Sequence, residues 1–375
     1  MIFEVYPFLT LLIAALAMRL APPGRPRQIV LALFNLMMLI FVARSYAVLL
    51  VVLMAFVWLL VRRKRKLSRG ALAIVIAVLI VALLRPKIAH LVPSMKQWPD
   101  NLGLSYLVFC LIGLAVDRYR GLVGPVRLAD FWNWISFFPS FTAGPIRRFA
   151  PLAKQFATGG GENFWWGVTR VIVGIFKRVV LVSLTSPIAD YLPNPATRGW
   201  VDLVLGTYAY SLNIYLEFSA YTDIAVGAAA MLGYRIEENF RWPYLATNIS
   251  AFWKRWHMSL TGWLRDYLFI PLGGSRRGLA STTINTVMVM AVIGLWHGFT
   301  PNYLWWGLYH AAGLLIYRAY TRLAHGGDRS VHPGRWRRFG AWFLTFHFVT
   351  LGWVLFACPL GRAVQVFVLL FTGGR

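Results

Sequence analysis

Residues 287–298 read Val287-Met288-Val289-Met290-Ala291-Val292-Ile293-Gly294-Leu295-Trp296-His297-Gly298. An apolar run without a charge, closed by a histidine, places an ionisable group at the end of a helix that can sit in hydrocarbon. Such groups are costly at membrane depth and usually functional. Gly294 and Gly298 leave room beside the imidazole.

The same character extends outward from this run. The chain has 375 residues, of which 58% are hydrophobic and 14% charged, whereas a soluble domain averages about 25% charged. A spanning helix needs about 20 mostly apolar residues. Runs near 3–20, 28–43, 45–61, 70–84, 103–118, 168–188, 200–218, 280–296, 302–320, 339–357 and 361–373 predict about eleven spans. No long polar stretch separates them, so residues 1–375 are expected to form one membrane-embedded, all-α unit. The segment 322–338 is linker-like and reads as a cytoplasmic loop.

The net charge of +25 would suggest nucleic acid in a soluble protein. Here the cations gather between apolar runs, as the positive-inside rule requires of cytoplasmic loops. The blocks are Arg19/Arg25/Arg27, Arg62 to Lys66, Arg118/Arg120/Arg127 and Arg318 to Arg338. They are expected to face the cytoplasm and anionic membrane lipid. No groove-reading fold is visible, which excludes nucleic acid as a partner. Val5 to Leu20 follows Glu4 and carries Arg19 at its end, so it reads as a first span with an outside N-terminus, not a cleaved leader. Cys110 and Cys358 stand alone in apolar surroundings and read as core filler.

Two segments fail as simple spans. Asn133 to Phe149 contains Pro139, Gly144 and Pro145 at membrane depth, where broken backbone survives only inside protein or beside a wet cavity. Tyr234 to Gly274 mixes eight charged residues, among them Arg255, Arg265 and Asp266, with Trp242, Trp253, Trp256 and Trp263. Within it, Asn248 or Ser250 can cap a helix beginning at Ala251. Trp253, Trp256, His257, Leu260, Trp263 and Leu264 then share one face, which predicts an amphipathic helix lying in the interface or dipping into the protein. A plain interfacial anchor is the alternative.

A neutral His297 can accept the proton of a hydroxyl, the task of a general base in acyl transfer to an alcohol. A satisfied core hydrogen bond is the competing reading. His257 gives a second histidine flanked by tryptophan. His90, His310, His325, His332 and His347 are weaker candidates, and packing is the favoured role for His310. Glu217 and Asp223 need buried partners, for which Arg255 or Arg265 is available. That favours a structural network over catalysis. Gly273 to Gly278 is glycine-rich and basic but lacks the ending of a phosphate loop, so a turn is expected. No Ser-His-Asp order, nucleophile elbow or metal-ligand spacing appears.

Taken together, Asn239-Phe240 with Pro243-Tyr244, Phe252 to Leu260, Trp263-Leu264-Arg265-Asp266-Tyr267, Ile270-Pro271-Leu272-Gly273-Gly274 and Leu295-Trp296-His297-Gly298 resemble the membrane-bound O-acyltransferase family. The likeness covers a motif-bearing core of about 103–313. Ile270 to Gly274 and Trp263 to Tyr267 are similar to its alginate and peptidoglycan O-acetyltransferase branch. Gly103 to Phe109, Ala143 to Phe149 and Gly307 to Ala311 are also similar to its teichoic-acid D-alanyl transferase branch.

The resemblance implies a funnel around a buried histidine site in a bacterial inner-membrane protein. An acyl thioester, acetyl-CoA or a loaded acyl carrier protein, would approach from the cytoplasm, with no resident cofactor. The acceptor would be a hydroxyl of a cell-envelope polysaccharide or a periplasmic or extracellular relay acyltransferase. His297 matches the family's essential histidine and His257 the second one. Trp256, Ser259, Trp296, Asn248 and Arg255 are the expected substrate contacts. Because the chain ends at Arg375, the later helices of larger members are expected to be missing. The rival classes are a transporter or flippase, which would move solute without forming an ester, and a scaffold indifferent to both histidines.

Overall fold

The computed structural model describes residues 5–43, 46–88, 103–158, 161, 163–325 and 334–373. His90 and His332 lie outside them. The described residues are 78% helical and include no strand. In chain order the helices are α1 (Val5–Leu20), α2 (Arg25–Val42), α3 (Ala47–Val61), α4 (Arg69–Ile88), α5 (Leu104–Arg120), α6 (Leu128–Ile135), α7 (Phe149–Thr158), α8 (Phe164–Phe176), α9 (Val182–Ala189) and α10 (Trp200–Met231). They continue as α11 (Ile249–Trp253), α12 (Met258–Leu264), α13 (Gly278–His297), α14 (Pro301–His325), α15 (Arg335–Ala357) and α16 (Leu360–Thr372). Over their described residues the predicted apolar runs lie almost wholly in this helical set. By length and composition, Arg25–Val42, Arg69–Ile88, Phe164–Ala189, Gly278–His297 and Arg335–Ala357 are candidate spans, and α3 and α16 are shorter apolar helices.

The chain divides into two compact units, residues 1–175 with 221–238, and residues 176–220 with 239–375. In the first, the broken segment after α6 is held by buried polar groups. Asn35 of α2 donates from Nδ2 to Asn133 Oδ1 at 3.2 Å and accepts the Phe138 amide at 2.9 Å. The buried Arg147 guanidinium donates to the carbonyls of Trp134, Ile135 and Ser140 at 2.9–3.2 Å. Carbonyls freed by the breaks at Pro139 and Pro145 thus find donors, as backbone in an apolar setting requires. Gly144 is obligatory here, because a Cβ would overlap Ser140. Arg118, read from sequence as a surface cation, is instead buried at the end of α5, where it donates to the carbonyls of Val61, Arg63, Arg65 and Val123.

Glu217 and Asp223 of α10 are ion-paired, but not to the predicted arginines. Asp223 meets Arg170 at 2.6 Å and Glu217 meets Arg178 at 3.2 Å, while Arg265 pairs with its neighbour Asp266 at 2.8 Å. Arg170 lies in α8 and Arg178 in the π turn Lys177–Leu181 that follows it, far from both carboxylates in sequence. Arg170 also reaches Glu238 at 2.9 Å. Gly167 and Gly227 bring their helices so close that a Cβ on either would stand within 2.7 Å of the other's carbonyl oxygen. Cys110 and Cys358 are free and buried, as core filler should be.

In the second unit α13 and α14 pack along their length. A Cβ on Gly294 would overlap the Tyr303 carbonyl, and one on Gly307 the Met290 carbonyl. The room that Gly294 leaves is therefore filled by the backbone of α14. Gly298 faces the Tyr303 ring, 2.6 Å from where its Cβ would be.

Candidate active site

The stretch predicted to be one amphipathic helix from Ala251 is two helices. α11 begins at Ile249, capped by Asn248, whose Oδ1 accepts the Ala251 amide at 2.7 Å. It stops at Trp253, and α12 starts at Met258. Between them His257 takes a left-handed backbone conformation (φ 45°, ψ 52°), rare for a residue with a Cβ. Such a conformation costs about 1–3 kcal/mol and clusters at functional sites. It is held by the segment after α10: Met258 N donates to Asn239 O at 2.9 Å, and Arg241 N donates to Arg255 O at 3.0 Å.

Asn239, fully buried, organises this turn. Its side-chain oxygen accepts from Ser259 Oγ at 2.6 Å and from Ser259 N at 3.3 Å, and lies 3.3 Å from His257 Nδ1. The backbone N–H can only donate, so it fixes the amide with its oxygen toward the cluster. His257 Nδ1 must then carry the proton, and Nε2 is the lone-pair nitrogen. Burial, and secondarily the charge of His297, push the His257 pKa down to about 3. The ring is neutral at any physiological pH.

His297 ends α13 only partly buried. Its ring is walled by Trp296 at 4.6 Å, Phe356 at 4.8 Å, Trp306 at 5.5 Å and Tyr303 at 6.1 Å. Trp296 also touches His257, at 6.3 Å between ring centroids. The two histidines thus share the Trp296 wall, one buried and tautomer-fixed, the other reachable. Four of the predicted residues, His257, Ser259, Trp296 and His297, are brought together. Trp256 is buried in an aromatic layer against Trp353 at 4.9 Å and Phe240 at 5.1 Å. Asn248 caps α11, and the Arg255 carbonyl serves the backbone pairing with Arg241.

Sequence reading did not assign a role to Asn239, Trp306 or Phe356. Asn239 entered only as part of the Asn239-Phe240 motif of the family resemblance; it stands 18 residues before His257, and no helical period links the two. His310 is completely buried, ringed by Trp253 at 5.2 Å and Trp306 at 5.0 Å.

A cavity of about 630 Å³ lies in the same unit, with Trp253 and Met290 on its wall. Trp253 packs edge-on against Trp306, which in turn touches His297. The cavity also carries Arg265, Arg318 and Arg322, with Thr286 and Thr321 among its polar groups. An apolar wall toward the histidines combined with three cations suits an anionic molecule with a neutral tail.

Helices with candidate spans, a tautomer-fixed histidine in strained backbone and a second histidine at a span end agree with one family. The model of the membrane-bound O-acyltransferase family matches residues 29–351. The chain belongs to that family. It is a multi-pass membrane protein. It is 40% identical over 281 residues to the probable alginate O-acetylase of Pseudomonas fluorescens, covering 73% of this chain and 54% of the relative. It is 34% identical to the peptidoglycan O-acetyltransferase of Helicobacter pylori, over 63% of this chain and 45% of the relative. To the teichoic acid D-alanyltransferase of Bacillus subtilis it is 28% identical, over 77% of each. The chain spans about half the length of the alginate O-acetylases it matches.

Proposed function

We propose that this family member transfers an acyl group, most simply acetyl, from a thioester to a hydroxyl of a cell-envelope polysaccharide or of a relay protein. The observation that carries the proposal is the pair His257 and His297, both against Trp296. His297 removes the proton of the attacking hydroxyl, the hydroxyl oxygen bonds to the thioester carbonyl, and collapse expels the thiolate. The proton on His297 then passes to that thiolate, so the step balances without a resident cofactor. His257, neutral and oriented by Asn239, positions a substrate or steadies the developing oxyanion, a contribution worth about 3–4 kcal/mol when preorganised.

The donor side is the cavity carrying Arg265, Arg318 and Arg322. Its cations suit the phosphates of coenzyme A or of a carrier protein's phosphopantetheine, and its apolar wall suits the acyl-bearing arm. This reading places that cavity toward the cytoplasm of a bacterial inner membrane, and the apolar helices as about eleven spans around a funnel, with lipid as the surrounding partner. The higher identity to alginate O-acetylases than to D-alanyltransferases favours acetyl over D-alanyl. The test is single-turnover chemistry on purified protein in nanodiscs with radiolabelled acetyl-CoA and an oligosaccharide acceptor. Ester formation by wild type and none by His297→Ala supports the proposal; equal turnover by both overturns it.

A further inference from the structure

The wall between the cavity and His297 carries polar groups that the reaction above does not use. On α13 the cavity-lining residues Thr286, Met290 and Ile293 share one face, and His297 continues it four residues beyond Ile293. On α14 the cavity is lined by Arg322, Arg318 and Leu314, and His310 stands one turn before Leu314. The cavity thus runs from its cations toward His297 and stops at three rings. These touch pairwise: Trp253 and His310 at 5.2 Å, Trp306 and His310 at 5.0 Å, and Trp253 and Trp306 at 5.9 Å between centroids. Trp253 belongs to the cavity wall, and Trp306 touches His297.

All three rings are buried. Neither indole N–H, and neither nitrogen of His310, has a hydrogen-bond partner among the described residues. Buried polar atoms without partners are uncommon and destabilising, and apolar rings would fill the same space without that cost. A Cβ on Gly352 would crowd His310 Nε2 at 3.1 Å, so α15 also keeps clear of that nitrogen. An indole can only donate, whereas a neutral imidazole donates from one nitrogen and accepts at the other. Together they suit a group with an acceptor and a donor on adjacent atoms, which describes an amide. The rings hold no hydrogen bond to one another, so parting them to admit a ligand breaks none.

We propose that Trp253, Trp306 and His310 are positioning residues that hold the amide nearest the sulfur of a pantetheine thioester, the arm shared by coenzyme A and carrier proteins. The indole N–H groups donate to its carbonyl, and the lone-pair nitrogen of His310 accepts its N–H. Only an ethylene link separates that amide from the sulfur, and Trp306 is the ring that His310 and His297 share. An amide held here therefore sets the thioester carbonyl against His297, the orientation that acyl transfer needs. The inference rests on the acyl-transfer reading, but its binding test does not.

The test is equilibrium binding of an unreactive S-ethyl pantetheine arm to the purified full-length chain in nanodiscs, beside an analogue whose sulfur-proximal amide is replaced by an ethylene unit. Each is presented on coenzyme A and on an acyl carrier protein, and the form that binds identifies the source of the arm. Wild type is predicted to bind the amide-bearing arm about tenfold more tightly than the analogue. His310→Leu should lose that preference by binding the amide-bearing arm about tenfold more weakly, with a Tm equal to or above that of wild type, because it removes two unpaired nitrogens. His310→Gln, which keeps a donor and an acceptor, should restore affinity to within about threefold of wild type. A purely structural His310 predicts the reverse, a lower Tm and equal weakening of both ligands. Should His310→Leu not be recovered, the two ligands on wild type decide alone. Equal affinity of wild type for both, as plain packing or an internal water would give, would overturn the proposal. So would an intact preference in His310→Leu, or no binding of the arm in either form. Binding as predicted without ester formation sinks the acyl-transfer reading alone, and ester formation without amide preference sinks this site alone.

Discussion

Asn239 Oδ1 stands 3.3 Å from His257 Nδ1 and simultaneously accepts both the amide and the hydroxyl of Ser259. One buried amide thus sets the tautomer of a histidine and anchors the start of α12. Replacing it by Ala strands three donors in a buried place, at about 1–3 kcal/mol for each group left unsatisfied. Asn239→Ala is expected to cut acyl transfer at least about tenfold while the purified protein remains monodisperse. Transfer at the wild-type rate would show that the tautomer of His257 does not matter.

The depressed pKa of His257 has a stability consequence. In the folded chain it titrates near 3, against 6.5 when unperturbed. Between those values the unfolded chain binds the extra proton, so this histidine's contribution to stability is intact above pH 6.5 and is lost progressively as pH falls toward 3. The Tm of wild type should therefore fall more steeply than that of His257→Asn on going from pH 7 to pH 5. Parallel Tm curves would mean that the ring is not buried neutral.

Gly294 tests how α14 is placed. A Cβ there collides with the Tyr303 carbonyl, backbone that cannot swing away. Gly294→Ala should cost about 1–3 kcal/mol and lower thermal stability in detergent, and Gly294→Leu should abolish recovery of folded protein. A Gly294→Ala variant with unchanged Tm would contradict the close packing of α13 on α14.

Arg318 and Arg322 both line the cavity assigned to the donor. Arg318→Gln and Arg322→Gln are expected to raise the KM for an acyl-thioester about tenfold, with kcat little changed, because they hold phosphate far from the reacting carbon. Wild-type KM values in both variants would remove the cavity from the donor path.

The sequence made the helices legible because apolar length is a local property, and over their described residues the predicted runs are almost wholly helical. The turn at Gly273 to Gly278 was readable for the same reason, its glycines marking backbone with positive φ at 273, 274 and 278. The break at His257 was not. A period of three and four over Trp253, Trp256, His257 and Leu260 is what a continuous helix would show, and only the pairing of residues 239–241 with 255–258 overrides it. The partners of Glu217 and Asp223 were missed for a related reason. Arg178 and Arg170 lie 39 and 53 residues earlier in the chain than these carboxylates, so their proximity depends on how helices pack and not on spacing. His257 and His297 were legible as histidines flanked by tryptophan, but the Asn239 that orients one of them was not.

The most direct test of the central claim is mild-alkali release of ester-linked acyl groups from envelope glycans of cells expressing wild type or His297→Ala. The account predicts acetate released from the wild-type envelope alone, with both proteins present in the membrane at equal levels. Equal release from the two would contradict it.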